Sequence, residues 1–301
     1  MDFLEQIYSR AQKSPKRLVF AEPTEPRVLA AIPIIEEKGL AHILPLEEKP
    51  HYAARYAELR QVTLEEATLA LKNTHVLAAL MVEQGDADGL ITGPGANSKD
   101  RILPILKILP TKKPGSRASG LFFMVLPPDV NADAANGGVL LFADCALNIA
   151  PNLDTLVDIA IDSAETAKHF GIEPKIAMLS FSTAGSSQDE HAVLMREATQ
   201  KVRLLRPDLL IEGEVQADAA LIDSIGKAKA PTSAIAGQAN ILIFPDLEAG
   251  NIAYKLVERL AGAKAIGPVV QGLQYPVCEA SRGCNTEDLV SLATITTIIA
   301  S

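Results

Sequence analysis

Residues 175–218 read KIAMLSFSTAGSSQDEHAVLMREATQKVRLLRPDLLIEGEVQAD. The run opens on a short apolar stretch, KIAMLSFS, crosses a turn of Ser, Thr and Gly, and continues through a segment of helical length at about 188–205. It closes on a second apolar stretch, LLIEGEV. Strand, helix and strand in that order predict two parallel strands with the helix laid over one face. The alternation extends outward. A helix is predicted at about 153–170 upstream, and downstream a helix near 217–228, the strand NILIFPD, a helix at about 248–261, the strand AIGPVVQG and a final helix. This part of the chain therefore predicts a parallel β-sheet with helices on both faces.

The first third alternates too. An opening helix carries Phe3, Leu4, Ile7 and Ala11 on one side, RLVFAE reads as a buried strand, and 24–38 as a helix ended by Gly39. A strand follows at HILPL. Three helical stretches come next, one started by the capping box Thr63-x-x-Glu66, then the strand GLITG at 89–93 and a helix over about 98–109. The segment PTKKPGSRASG, rich in Pro, Gly and Lys, is the candidate domain crossing. Beyond it LFFMVLP and VLLFADCALN, joined by the turn-rich PDVNADAANGG, predict a hairpin or connected strand pair.

With 301 residues, 48% hydrophobic and 22% charged, the chain can bury substantial cores. A net charge of −9 without basic runs argues against a nucleic-acid or membrane-surface binder, so an anionic ligand must be met by local cations. The opening MDFLEQIYSRAQKSPKR carries early acids and no continuous apolar core, which fits a cytoplasmic protein. Cys145, Cys278 and Cys284 form no C-x-x-C pair and read as reduced thiols. The five histidines lack ligand spacing, so no structural zinc is expected and no metal ligand is assigned, although acidic residues gathered by the fold could hold a metal that spacing does not reveal.

In parallel α/β folds ligands collect where strands end and helices begin. SFSTAGSS has the composition of an anion-cradling turn, with Ser182, Thr183, Gly185 and Ser186 as candidate substrate ligands, although helix capping explains the same residues. It lacks the Gly-Lys-Ser/Thr ending of a phosphate-binding P-loop, and no G-x-G-x-x-G appears. Asn148, ending ADCALN, and Asn251, in FPDLEAGN beside Asp246, Glu248 and Gly250, are further strand-end candidates. Glu212 and Glu214 straddle Gly213 and, by period two, point the same way. In ASRGCNTED (280–288) Asn285 can cap a helix with Glu287 and Asp288 in its first turn. Capping leaves Ser281 and Arg282, on the approach to a helix N-terminus suited to an anion, without a role. No Ser-His-Asp arrangement is visible.

VFAEPTEPRVLAA, GDADGLITG, VLLFADCALN, ETAKHFGIEPKIAMLSFSTAGS, RPDLLIEGEVQADAA, ANILIFPDLEAGNIAYKLVERL and AIGPVVQGLQYPVCEASRGCNTEDLV together resemble the phosphate acetyltransferase and butyryltransferase family over nearly the whole chain. The resemblance implies two doubly wound α/β domains with an interdomain cleft, a fold similar to the isocitrate and isopropylmalate dehydrogenases, and a homodimer. The last segment would return to the first domain, giving 1–116 plus 272–301 and 117–271. It implies acyl transfer from acetyl phosphate to coenzyme A in a ternary complex, with CoA, acetyl phosphate and phosphate as partners and no tightly bound cofactor. Carried onto this chain, Asp288 is the base for the CoA thiol, Ser281 a hydrogen-bond donor near the reacting centre, and Arg282 the phosphate ligand. Other family members read G-x-x-H-[ST]-T-x-D-x-x-R-P after the strand at 89–93. Here Ala96 and Leu103 stand for the His and Arg, and Pro23 replaces a small residue in the opening motif, where Glu22 and Arg27 remain. Arg101, with Lys99, is the expected replacement cation, reached by a shifted loop at Gly93-Pro94-Gly95. Two other readings are a metal- and NAD-dependent decarboxylating dehydrogenase of the same fold, and a non-catalytic regulatory domain that binds acetyl-CoA or acetyl phosphate.

Overall fold

The computed structural model describes residues 3–95, 98–128, 130 and 138–301, with the side chains of Ser98 and Lys99 also outside the description. The replacement at Ala96, the contribution of Lys99 and most of the turn joining the two apolar runs therefore lie outside the described residues. Two compact units emerge, one of residues 3–112 and 273–301, the other of residues 113–272.

The first unit runs α1 (Phe3–Lys13), β1 (Lys16–Phe20), α2 (Pro26–Glu37), β2 (Ala41–Leu44), α3 (Tyr52–Arg60), α4 (Leu64–Ala70), α5 (Thr74–Glu83), β3 (Gly89–Thr92) and α6 (Ser98–Leu106). The second holds β4 (Ser119–Val125), β5 (Val139–Ala143), α7 (Leu153–His169), β6 (Lys175–Leu179), α8 (Glu190–Leu205), β7 (Leu210–Val215), α9 (Ala217–Leu221), α10 (Asp223–Lys229), β8 (Ile241–Ile243), α11 (Leu247–Leu260) and β9 (Lys264–Gln271). The chain then returns to the first unit as β10 (Val277–Glu279) and α12 (Thr286–Ile299).

In the first unit β2, β1, β3 and β10 lie side by side, all parallel. Every residue of β3 is buried, as expected of a strand covered on both faces. Helix α12 is buried on every side from Leu289 to Ile298, packing on α1, α2, β1 and β3. Its buried threonines stay satisfied because Thr294 and Thr296 donate to the carbonyls four residues back, and Thr297 donates to the carbonyl of Leu40. This packing sets the N-terminus of α12 just beyond the carboxyl end of β10, where the strand–turn–helix rule places ligands.

The second unit orders its strands β9-β4-β5-β8-β6-β7. Strands β5, β8, β6 and β7 are parallel, but β4 is antiparallel to both β5 and β9. This corrects the expectation that AIGPVVQG continues the parallel series: the hairpin-like β4 and β5 reverse the chain, and β9 pairs with β4. The helix expected near 217–228 is two short helices, interrupted by extended backbone at Ile222. The three-residue β10 was not foreseen, being too short to stand out as an apolar run.

Candidate active site

Residues 280–285 lead from β10 into α12. Asn285 is the N-cap, its Oδ1 accepting the Asp288 N–H at 2.9 Å, while Asp288 Oδ2 accepts the Asn285 N–H at 2.9 Å. This reciprocal pair is a capping box, so the capping reading of Asn285 and Asp288 holds as far as it goes. It engages one carboxylate oxygen of Asp288. The remaining oxygen has no hydrogen-bond partner among the described residues. Ser281 is partly buried and Arg282 exposed, and neither is required by the cap.

Two arginines hold this turn by its carbonyls. Arg27, in the first turn of α2, donates through Nη1 to the carbonyls of Arg282 at 2.8 Å and Cys284 at 2.9 Å. Its Nε is anchored 2.7 Å from Glu25, whose other oxygen caps α2 by accepting the Arg27 and Val28 N–H groups. Arg101, on α6, donates through Nη1 to the Ala280 carbonyl at 3.0 Å and pairs through Nη2 with Glu279 at 2.7 Å. Both members of that pair are nearly inaccessible, Arg101 being only 1% exposed. Arg101 was expected to meet substrate, and its burial against Glu279 corrects that expectation: a guanidinium shielded from water and committed to a carboxylate and a carbonyl is poorly placed to recruit a soluble anion. Leu103, where the family motif carries Arg, is 42% exposed. Glu22 ties down the start of the same segment, accepting the Gly95 N–H and lying 3.3 Å from His75 Nε2.

Cys284 sits inside this arrangement. Burial pushes its thiol up to about 11; the positive charge of Arg27 opposes the shift, and the carboxylates of Asp288 and Glu25 add to it. A thiol held so high is neutral near pH 7 and is no nucleophile.

In the second unit the turn after β6 already holds an anion, and the anion belongs to the protein. Glu214 is 2% exposed. Its Oε1 accepts from Ser182 Oγ at 2.8 Å, the Gly185 N–H at 3.0 Å and Arg196 Nη2 at 3.0 Å, and its Oε2 accepts from Arg196 Nε at 2.8 Å. Burial alone would raise the Glu214 carboxyl. The hydrogen bonds from Arg196, Ser182 and the backbone outweigh it and hold the group down at about 2. Ala184 at φ +50° and Gly185 at φ +82° turn the backbone through two successive left-handed residues, carrying the Gly185 N–H to the carboxylate. Ser182 and Gly185, expected to receive substrate, are thus engaged by Glu214. Ser186 Oγ lies 2.8 Å from Ser182 Oγ and accepts the Thr183 N–H, and Thr183 Oγ1 accepts the Gln216 N–H. The side chain of Ser186 remains partly open to solvent.

Glu212 and Glu214 do not form a pair. Glu212 goes to Arg203 and Glu214 to Arg196, and the β6–β7 register shifts at Met178/Leu179, which ends the simple two-residue alternation. Asn148 is buried, donating to the Ala118 carbonyl at 2.9 Å and to Asp144 at 2.6 Å. Asn251 donates to the Cys145 carbonyl at 3.2 Å. In the same motif Asp246 caps α11, and a Cβ on Gly250 would stand 2.3 Å from the Asp144 carbonyl oxygen, so only glycine lets α11 approach there. Among the described residues no group of three or more His, Cys, Asp or Glu could hold a metal ion.

Sequence reasoning did not assign Glu279, Arg196 or the carbonyl-holding role of Arg27. Of these only Arg27 carried a signal, standing in AEPTEPR at the end of a predicted strand.

The fold is that of an α/β protein in which Ser281 and Arg282 lie on the approach to the N-terminus of the last helix. Residues 45–297 match the sequence profile described as phosphate acetyl/butaryl transferase. The phosphate acetyltransferase of Thermoanaerobacterium thermosaccharolyticum is 40% identical over 328 residues, covering 99% of this chain and 99% of that one. That of Clostridium acetobutylicum is 39% identical over 330 residues, covering 99% and 98%. The solved structure of a phosphotransacetylase from Streptococcus pyogenes is 36% identical, covers 98% of each chain and superimposes with a TM-score of 0.88. The chain belongs to the phosphate acetyltransferase and butyryltransferase family.

Proposed function

We propose that this protein transfers an acetyl group between phosphate and coenzyme A, acetyl phosphate and CoA giving acetyl-CoA and phosphate. The single observation that carries the reading at the level of the site is the turn at 280–288. Its carbonyls are drawn away by Arg27 and Arg101, while Ser281, Arg282 and the Asp288 carboxylate stand at the start of α12. In the step proposed, the CoA sulfur bonds to the carbonyl carbon of acetyl phosphate, the carbon–oxygen bond to phosphate breaks, and the thiol proton passes to Asp288. Arg282 meets phosphate oxygens with two parallel N–H donors, which also steadies the leaving group as negative charge gathers on it. Ser281 donates a hydrogen bond near the reacting carbonyl. A CoA thiol near pKa 8.5 needs a base or a stabilising field to ionise near neutrality. The thiol proton passes to Asp288 as the carbon–sulfur bond forms, with the two groups held together by the bound substrates.

Ser186 is proposed to face substrate, whereas Ser182, Thr183, Gly185, Asn148 and Asn251 shape the turns that carry such contacts. CoA serves as substrate, with no resident cofactor. We further propose a cytoplasmic homodimer. The exposed Ile252, Leu256 and Leu260, spaced by four along α11, support an association surface, and no described helix is long and apolar enough to cross a membrane. Initial rates of thioester formation with acetyl, propionyl and butyryl phosphate test the reading. Acetyl phosphate is expected to give the highest kcat/KM, and thioester formation with none of the three would overturn it.

A further inference from the structure

We infer that Arg101 is a positioning residue for acyl transfer, fixing the backbone from which Ser281 and Arg282 project. The inference rests on the acyl-transfer reading above. Three observations meet at its guanidinium. Nη2 is 2.7 Å from the buried Glu279 at the end of β10, and Nη1 donates to Ala280, the residue before Ser281, at 3.0 Å. Ala280 in turn donates its N–H to the Thr92 carbonyl at 2.7 Å, so the arginine grips the junction where β3 and β10 both end. Space for the guanidinium comes from Gly93: a Cβ there would stand 2.2 Å from Arg101 Nη1 and 2.5 Å from the Ala280 oxygen, and its φ of +85° is one that glycine adopts without strain. The departure at Arg101 and Leu103 thus acquires a physical content. An arginine on α6 reaches through a glycine to the backbone of the reacting turn instead of reaching out to substrate.

The fork is what the site uses. A carboxylate and a carbonyl are held at once by two nitrogens of one rigid plane, which the single ammonium of lysine cannot reproduce. Misplacing a reacting group by about 1 Å costs on the order of 100-fold in rate. Arg101→Lys, which keeps the charge, is therefore expected to lower kcat by about 10-fold or more while leaving the KM for acetyl phosphate within about threefold. If Arg101 works through Arg282, the same substitution costs much less in an Arg282→Lys background, where exact placement of residue 282 no longer matters.

The experiment measures kcat and KM for both substrates, and the melting temperature, in the wild type, Arg101→Lys, Arg282→Lys and the double variant. A kcat loss with KM preserved, and a penalty that shrinks in the double variant, is the expected result. A rise in KM with kcat intact would make Arg101 a ligand and overturn the inference. A lowered melting temperature with unchanged kinetics, or penalties that simply multiply, would overturn it in favour of a scaffold role. A wild type that forms no acetyl-CoA would sink the acyl-transfer reading itself, and is distinguished by failing before any substitution is made. Should Arg101→Lys not fold, Glu279→Gln, which keeps the volume and an acceptor oxygen, is expected to lower kcat in the same direction; a folded Glu279→Gln enzyme with wild-type kcat would refute the inference.

Discussion

Replacing Asp288 by Asn separates the capping role that the structure shows from the base role proposed for the same carboxylate. As a cap, Asp288 accepts the Asn285 N–H at 2.9 Å, and the amide oxygen of Asn can accept the same bond. What the substitution removes from the helix is a negative charge in the first turn, which contributes about 0.3–1 kcal/mol. Spread over a unit of this size, that corresponds to a fall in melting temperature of roughly 1–4 °C. As a base, the residue loses its function altogether, and the expected fall in kcat is about 10²- to 10⁴-fold, or roughly 3–5 kcal/mol of barrier. The two magnitudes fall on different observables, so they do not blur. Rates of thioester formation at saturating CoA and acetyl phosphate, read beside the melting curve, make the measurement. Asp288→Ala adds the lost cap, a further destabilisation of about 1 kcal/mol, with no further loss of kcat beyond that of Asn. An Asp288→Asn enzyme that folds and keeps kcat within about threefold of wild type would refute the base assignment and return Asp288 to capping alone.

Arg282→Lys is expected to raise the KM for acetyl phosphate and lower kcat together, since charge survives and the two-donor fork does not; unchanged saturation kinetics would place the phosphate elsewhere. Cys284→Ser should retain kcat within about threefold, because a thiol pushed up to about 11 is not ionised at neutral pH; loss of activity in a folded Ser variant would reopen covalent catalysis. Glu214, held at about 2 against an ordinary value of 4.5, contributes stability that is fully present above about pH 4.5 and lost as pH falls toward 2. That contribution is about 3 kcal/mol, and Arg196→Met should remove much of it and move acid unfolding to higher pH. Identical acid-unfolding midpoints in the wild type and Arg196→Met would contradict this reading.

What the sequence determined by itself was local. Helices and strands alternate legibly because each carries its own apolar period, and the capping box at Thr63/Glu66 and the cap at Asn285 are legible because the partners lie within one helical turn. The motif at 280–288 was visible for the same reason, as a charged, hydroxyl-bearing approach to a helix start. Tertiary structure decided what those groups touch. Period two set Glu212 and Glu214 on one face, but the register shift opposite β7 and two separate arginines part them. Ser182 and Gly185 read as open donors until a carboxylate about thirty residues along the chain is folded onto them. Arg27 reaches carbonyls more than 250 residues away, and Arg101 is buried only because β10 brings Glu279 beside it. A charged side chain carries no period that announces its partner. Whether it meets water, a ligand or a buried carboxylate depends on which distant backbone the packing of α12 and the sheets brings within hydrogen-bond reach.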